Sequence, residues 1–153
     1  MSISIKRAKG SVLFEVQLNL LPDGMGILTA KDVKGSVRTA ASPEFGGREH
    51  NWSPEHLLLC AASSCFLATF PFFARELAIR KLQCDCIGKV QQFEGKYRFS
   101  QIDLFPRIEV NTEDIPNAEQ ALAKTLDHCI MTHSLSCDLV YHSQVLSFRS
   151  KKK

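Results

Sequence analysis

In "SVLFEVQLNL" (residues 11–20) apolar and polar side chains alternate, the period of a strand with one apolar face, and residues 1–20 are expected to form it. "LPDG" supplies a turn and a second extended stretch runs on toward "GSVRTAA", so the chain is predicted to open with a small antiparallel sheet. The Pro- and Gly-rich segment 42–56, "SPEFGGREHNWSPEH", reads as a loop that ends on a helix start. Ser53 is its N-cap, Pro54 takes the first helical position, and Glu55 sits near the positive end of the helix dipole. The helix is expected to run to about Ile79 and to kink at Pro71, whose ring clashes with the Leu67 carbonyl.

Farther on, "KLQCDCIGKVQQFEG" and "KYRFSQIDLFPRIEV" predict two strands turned at Glu94 and Gly95, with Leu82, Cys84, Cys86, Gly88 and Val90 on one face. Ala118, Ala121, Leu122, Thr125, Leu126 and Cys129 follow a helical spacing that places Cys129 on a buried helix face. One strand, "CDLVYHSQVLSF", closes the chain. Sheet, long apolar helix, strands, second helix and strand in that order predict an α+β fold with helices packed on antiparallel sheet. A single domain over residues 1–148 and a basic tail over 149–153 are expected.

Residues 57–74, "LLLCAASSCFLATFPFFA", carry no charge and approach the roughly 18 to 20 residues a membrane span needs. Cys60, Ser63, Ser64 and Thr69 dilute the run and Pro71 removes a backbone donor, so the expectation is no membrane span. A helix apolar all round is expected instead at the centre of a soluble fold, covered by a sheet and by a second subunit, which predicts an obligate homodimer. Composition agrees: 153 residues fit one domain, and 44% hydrophobic with 23% charged residues is an ordinary globular balance. The net charge of +3 is mild, and "RSKKK" reads as a solubilising tail and not a nucleic-acid contact. No secretory signal is visible at the N-terminus, so a cytoplasmic location is expected, and the six cysteines are expected as core residues, redox thiols or metal ligands.

Each predicted long helix carries a cysteine on a buried or half-buried face, Cys65 in "ASSCFLATF" and Cys129 in "LDHCIMTHS". Two thiols brought together by the fold suit peroxide reduction, in which one becomes a sulfenic acid and the other condenses with it to a disulfide. Packing in the core is the alternative for both. Cys84 and Cys86 read as small core hydrophobes. Cys60 points about 140° away from Cys65 around the helix, so core packing is expected there too. Cys129, His133 and Cys137, with His128 beside them, leave zinc as a minor alternative, disfavoured because the helix should end near His133. His50 and His56 are expected at the surface. Phe66, Phe70, Phe72 and Phe73 are expected in the core, with one or two free to line an apolar pocket.

"SPEHLLLCAASSCFLATF" has a Pro-Glu helix start, ten residues from Glu55 to Cys65, and a phenylalanine after the cysteine. It resembles the signature helix of the OsmC/Ohr family of thiol-dependent hydroperoxide reductases. "SPEFGG" upstream and "HCIMTHSL" downstream are similar to that family's other landmarks, in order, over roughly residues 10–148. The resemblance implies an intertwined homodimer, with antiparallel sheets around long central helices and two sites at the subunit interface, reducing organic hydroperoxides or hydrogen peroxide without a cofactor or metal. It implies Cys65 as the peroxidatic cysteine, Cys129 as the resolving cysteine and Glu55 as a carboxylate that orients an activating arginine. A dithiol, such as a dihydrolipoyl group, would be the reductant.

Ten residues of straight helix separate Glu55 from Cys65 by roughly 15 Å, so Glu55 is expected to serve the site of the partner subunit. Two departures from the family pattern stand out. "CIMTHS" replaces the Pro-Val-Ser that often follows the second cysteine, and "LPDGMGILTA" lacks the arginine of an early glycine-rich turn. Arg48, with Arg38 behind it, is the expected substitute. The rival to a peroxidase is a binding module of the same fold, with an inert Cys65 and a hydrophobic small molecule in the dimer cleft.

Overall fold

A computed structural model describes residues 10–148 in two compact units, Met1–Pro54 and Glu55–Lys153. The expected strand character of residues 1–9 and the basic tail 149–153 lie outside the described residues.

In the first unit, β1 (Val16–Leu20), β2 (Gly26–Ala30) and β3 (Val37–Thr39) form the expected antiparallel sheet, in that order. The "LPDG" turn closes as anticipated. Gly24 adopts φ 80°, Leu21 and Met25 pair across the hairpin, and the Asp23 carboxylate accepts the Met25 N–H at 3.0 Å. Gly47 has a steric reason to be glycine, since a Cβ there would lie 1.6 Å from the Ala41 carbonyl oxygen. The strand covers only the second half of the alternating run. Val16, Leu18 and Leu20 stand exposed on this edge strand, and so do Val12 and Phe14, which precede it in residues that were expected to be strand and are not.

The second unit is built on β5 (Lys96–Asn111), which pairs antiparallel with β4 (Lys81–Phe93) through a tight turn at Glu94 (φ 49°) and Gly95 (φ 80°). Its inward residues Ile102, Leu104, Pro106, Ile108 and Val110 are fully buried, and the helices pack on that face. Phe66, Phe70 and Ala74 meet Ile108, Val110, Ala118 and Ala121, while Ala62 meets Ile102 and Leu104.

Three expectations are corrected. The helix α1 (Pro54–Phe73) stops six residues short of Ile79. Pro71 cannot donate to the Leu67 carbonyl, and the chain then reverses through turns at Ala74–Leu77 so that Leu77 and Ile79 pack under the core and Arg80 N–H bonds Glu109 O at 2.9 Å, ready to enter β4. The sheet is not wholly antiparallel. The closing segment is two strands, β6 (Asp138–Tyr141) and β7 (Gln144–Phe148), both parallel to β5 along one edge. Pro106 accounts for the break. His142 N–H donates to Leu104 O at 2.8 Å, so the next bond of a parallel ladder would need the N–H that Pro106 lacks. Third, α2 (Ile115–His128) buries Ala118, Ala121 and Thr125 as predicted, but Cys129 lies beyond its end, with φ −69° and ψ 119°, before the short α3 (Ile130–Ser134). A residue in extended conformation leaves the helical stripe, so periodicity could not place its side chain.

Among the twenty residues of α1 only Ala62, Phe66 and Phe70 are buried, although the helix is long and apolar enough to cross a membrane by length and composition. Phe72 is exposed, against the expectation that all four helix phenylalanines lie in the core.

Gly88 of β4 has no room for a side chain, since a Cβ there would lie 2.5 Å from Phe99 Cε1 and 2.7 Å from Leu59 Cδ2. Gly88→Val is expected to cost about 1–3 kcal/mol by overpacking, measured as a lower urea midpoint with unchanged slope.

Candidate functional site

The helix α1 and the α2–α3 junction bring Cys65 and Cys129 together. Their sulfurs lie 2.9 Å apart and share a hydrogen bond, across 64 positions of chain. Cys129 is 1% exposed, whereas Cys65 is only half-buried, so Cys65 is the sulfur an incoming molecule reaches first.

The surroundings of the pair come from three places. Thr69, one turn along α1, donates to Cys65, and the Met131 N–H points at both sulfurs. The N–H and hydroxyl of Thr132 donate to Cys129. Tyr141, from β6, sets its hydroxyl 2.8 Å from Thr132 Oγ1 and within hydrogen-bonding reach of Cys129. Thr132 and Tyr141 were not singled out from sequence, because nothing in "CIMTHS" or "DLVYHS" signals that two hydroxyls from a short helix and a strand converge on one sulfur.

The two thiols titrate as a pair. Burial works against ionising Cys129, yet donation from Cys65, from Thr132 and from Met131 outweighs it and holds the thiol below its ordinary value. Cys65 is pushed up, first by burial and then by its hydrogen bond to Cys129. The two sulfurs, 2.9 Å apart, share one hydrogen bond, so the acidity of each depends on the protonation of the other.

The remaining candidates lie as follows. Glu55 stands in the first turn of α1, and its Oε2 is buried with no hydrogen-bond partner among the described residues. Arg48 donates to the Asp23 carbonyl oxygen at 2.7 Å, and Arg38 forms a 2.7 Å ion pair with the Asp23 carboxylate, both within the first unit. Cys60 is exposed, not packed in the core. Cys84 and Cys86 pack at the edge of the core as expected, and Cys137 joins them there. The zinc alternative gains nothing: His128 is hydrogen-bonded to Lys124 O and His133 to Asp127 O, and no group of three His, Cys, Asp or Glu among the described residues could hold a metal ion.

The family model described as OsmC-like protein matches residues 46–141. Solved structures of similar fold include an OsmC-like protein of unknown function from Vibrio cholerae, with TM-score 0.77 and 15% identity over 88% of this chain and 100% of that one. An OsmC-like protein from Mycoplasma pneumoniae has TM-score 0.73 and 17% identity over 88% and 98%. An organic hydroperoxide resistance protein from Elizabethkingia anophelis has TM-score 0.71 and 14% identity over 92% and 100%. Among curated proteins none matches the chain.

Burial pushes Cys84 and Cys86 up to about 11, so roughly one molecule in ten thousand carries either thiolate at pH 7. Their alkylation by iodoacetamide, mapped by peptide mass, is expected to be negligible at pH 7 and to rise about tenfold per pH unit until the pH approaches 11.

Proposed function

We propose that this chain, which belongs to the OsmC-like protein family, is a cysteine-based peroxidase that reduces organic hydroperoxides or hydrogen peroxide at Cys65 and resolves the product with Cys129. The observation that carries this reading is the pair of sulfurs 2.9 Å apart with only Cys65 open to an incoming molecule.

The steps follow from the placement of the protons. The Cys65 sulfur takes the terminal oxygen of the peroxide and the O–O bond breaks. As Cys65 attacks, its proton passes to the Cys129 thiolate, and the leaving alkoxide departs as the alcohol after taking a proton from solvent. Cys129 thus acts as the base that the raised Cys65 thiol needs. The Cys129 sulfur then displaces the oxygen of the Cys65 sulfenic acid, the S–O bond breaks, and water leaves carrying the Cys129 proton. An external dithiol, a dihydrolipoyl group being one that fits, returns both cysteines to thiols. No cofactor or metal takes part in this scheme.

A homodimer belongs to the same reading. The apolar edge strand β1 and the part-buried α1 are surfaces that a second copy would bury. The unpartnered Glu55 Oε2 would then receive a cation, with Arg48 the candidate to supply or be steered by that contact. Residues 1–148 are taken as one functional domain acting in the cytoplasm, with no role for nucleic acid or membrane.

The test is intact mass after one equivalent of cumene hydroperoxide. Wild type is expected to lose two protons in mass, and Cys129→Ser to accumulate a Cys65 sulfenic acid that dimedone traps. Cys65→Ser is expected to stay unoxidised. No change in wild type within minutes would replace this reading with that of a binding module holding a hydrophobic small molecule. Glu55→Gln is expected to slow oxidation about tenfold or more if the carboxylate orients a cation at the reacting thiol, read as kcat/KM for the peroxide.

A further inference from the structure

We propose that the Thr132–Tyr141 hydroxyl pair makes Cys129 the leaving sulfur when the Cys65–Cys129 disulfide is reduced, and so directs the reducing dithiol to Cys65. This rests on the peroxidase reading only for the origin of the disulfide.

Either hydroxyl of the Thr132–Tyr141 pair can donate, and where the Thr132 proton points decides which. Thr132 has one hydroxyl proton. When that proton points at the Cys129 sulfur, the Thr132 oxygen can only accept from Tyr141, whose O–H lies 2.8 Å away. The result is a two-step donor chain, Tyr141 to Thr132 to Cys129, with β6 holding the far end and α3 the near end. Such a chain polarises each member and places the most donor strength on a sulfur that carries charge. Cys65 has its own donors in Thr69 and the Met131 N–H, but no hydroxyl pair.

Attack on a disulfide is fastest when the departing sulfur is the better stabilised thiolate. Access and charge here select the same event. A dithiol approaches Cys65, the half-buried sulfur, and cannot reach Cys129. One thiolate of the dithiol bonds to Cys65 Sγ while the Cys65–Cys129 bond breaks, and its electron pair leaves on Cys129, where the Thr132 hydroxyl meets it. The second thiol of the dithiol then attacks its own sulfur bound to Cys65, closing a cyclic disulfide. Cys65 leaves and takes a proton. The dithiol loses two electrons and two protons, and the protein disulfide gains them. The departure from Pro-Val-Ser to "CIMTHS" acquires a meaning in this scheme, since it is the threonine of that stretch that faces the sulfur.

The experiment uses the full chain with the disulfide made by diamide, so that it does not depend on peroxide. Reduction by dithiothreitol is followed by acid quench, alkylation and mass. Thr132→Val is expected to reduce about fivefold more slowly than wild type, Thr132→Ser at the wild-type rate, and Tyr141→Phe in between. With excess 2-mercaptoethanol the mixed disulfide is expected on Cys65, leaving Cys129 as the thiol that alkylates after denaturation. An adduct on Cys129, or equal rates in Thr132→Val and wild type, would overturn the proposal. So would failure of diamide to join the two cysteines. Should Thr132→Val not fold, Tyr141→Phe reads the same step, and a wild-type rate there removes the donor chain. Disulfide formation with diamide but not with peroxide would remove the peroxidase reading and leave this one standing.

Discussion

Phe66 and Phe70 lie on the buried face of α1 against Ile108 and Val110 of β5, and everything at the cysteine pair depends on that contact. Two rings of this size bury on the order of 150–250 Å² each, so the helix cannot rotate or slide on the sheet without losing several kcal/mol. Ala118 and Ala121 of α2 join the same cluster, and their small side chains let that helix come close to the sheet. With α1 and α2 locked to one strand, Cys65 next to Phe66 and Cys129 just past the end of α2 are held at 2.9 Å. Cys129 sits in the single extended residue between α2 and α3, so the packing of α2 limits how far its sulfur can move from Cys65.

The same chain leaves a large apolar area uncovered. Five alternating residues from Val12 to Leu20 stand exposed, the last three of them on an edge strand, and of α1 only Ala62, Phe66 and Phe70 are fully buried. A monomer with an open strand edge and an apolar helix face invites nonspecific pairing, which natural proteins avoid by covering such surfaces. The buried, unpartnered oxygen of Glu55 points the same way. A carboxylate taken from water without a donor is costly, and a cation brought by a second copy would offset that cost while completing the site.

Much of this was legible in the amino-acid sequence. Period-two alternation located β4 and β5 and put Cys84 and Cys86 on the inward face, and the Ser-Pro-Glu start located α1 to the residue. The elements that were misjudged have local causes that patterning does not report. The pattern of α1 continued past Phe73, but the chain had to turn back to enter β4. The last strand split because Pro106, two strands away in sequence, lacks the N–H its neighbour needed. Cys129 fitted a helical stripe by count, yet the backbone turns extended at that residue, and only there can its sulfur leave the stripe and face Cys65. The hydroxyls of Thr132 and Tyr141 were invisible for a related reason: their role comes from the tertiary meeting of a five-residue helix and a four-residue strand.

The absence of an arginine from the "LPDGMGILTA" turn takes on a different weight beside the contact between the two thiols. A lone buried thiol has to be ionised by a cation. A thiol that hydrogen-bonds to a neighbouring sulfur has a place to send its proton, and Cys129, held below its ordinary value, is such a place. The donors at Thr132 and Met131 then do for Cys129 part of what a guanidinium would do for Cys65, with neutral groups that cost less to bury than a charge. Neutral donors stabilise a thiolate less than a guanidinium does, so this arrangement by itself suits a slower peroxidase.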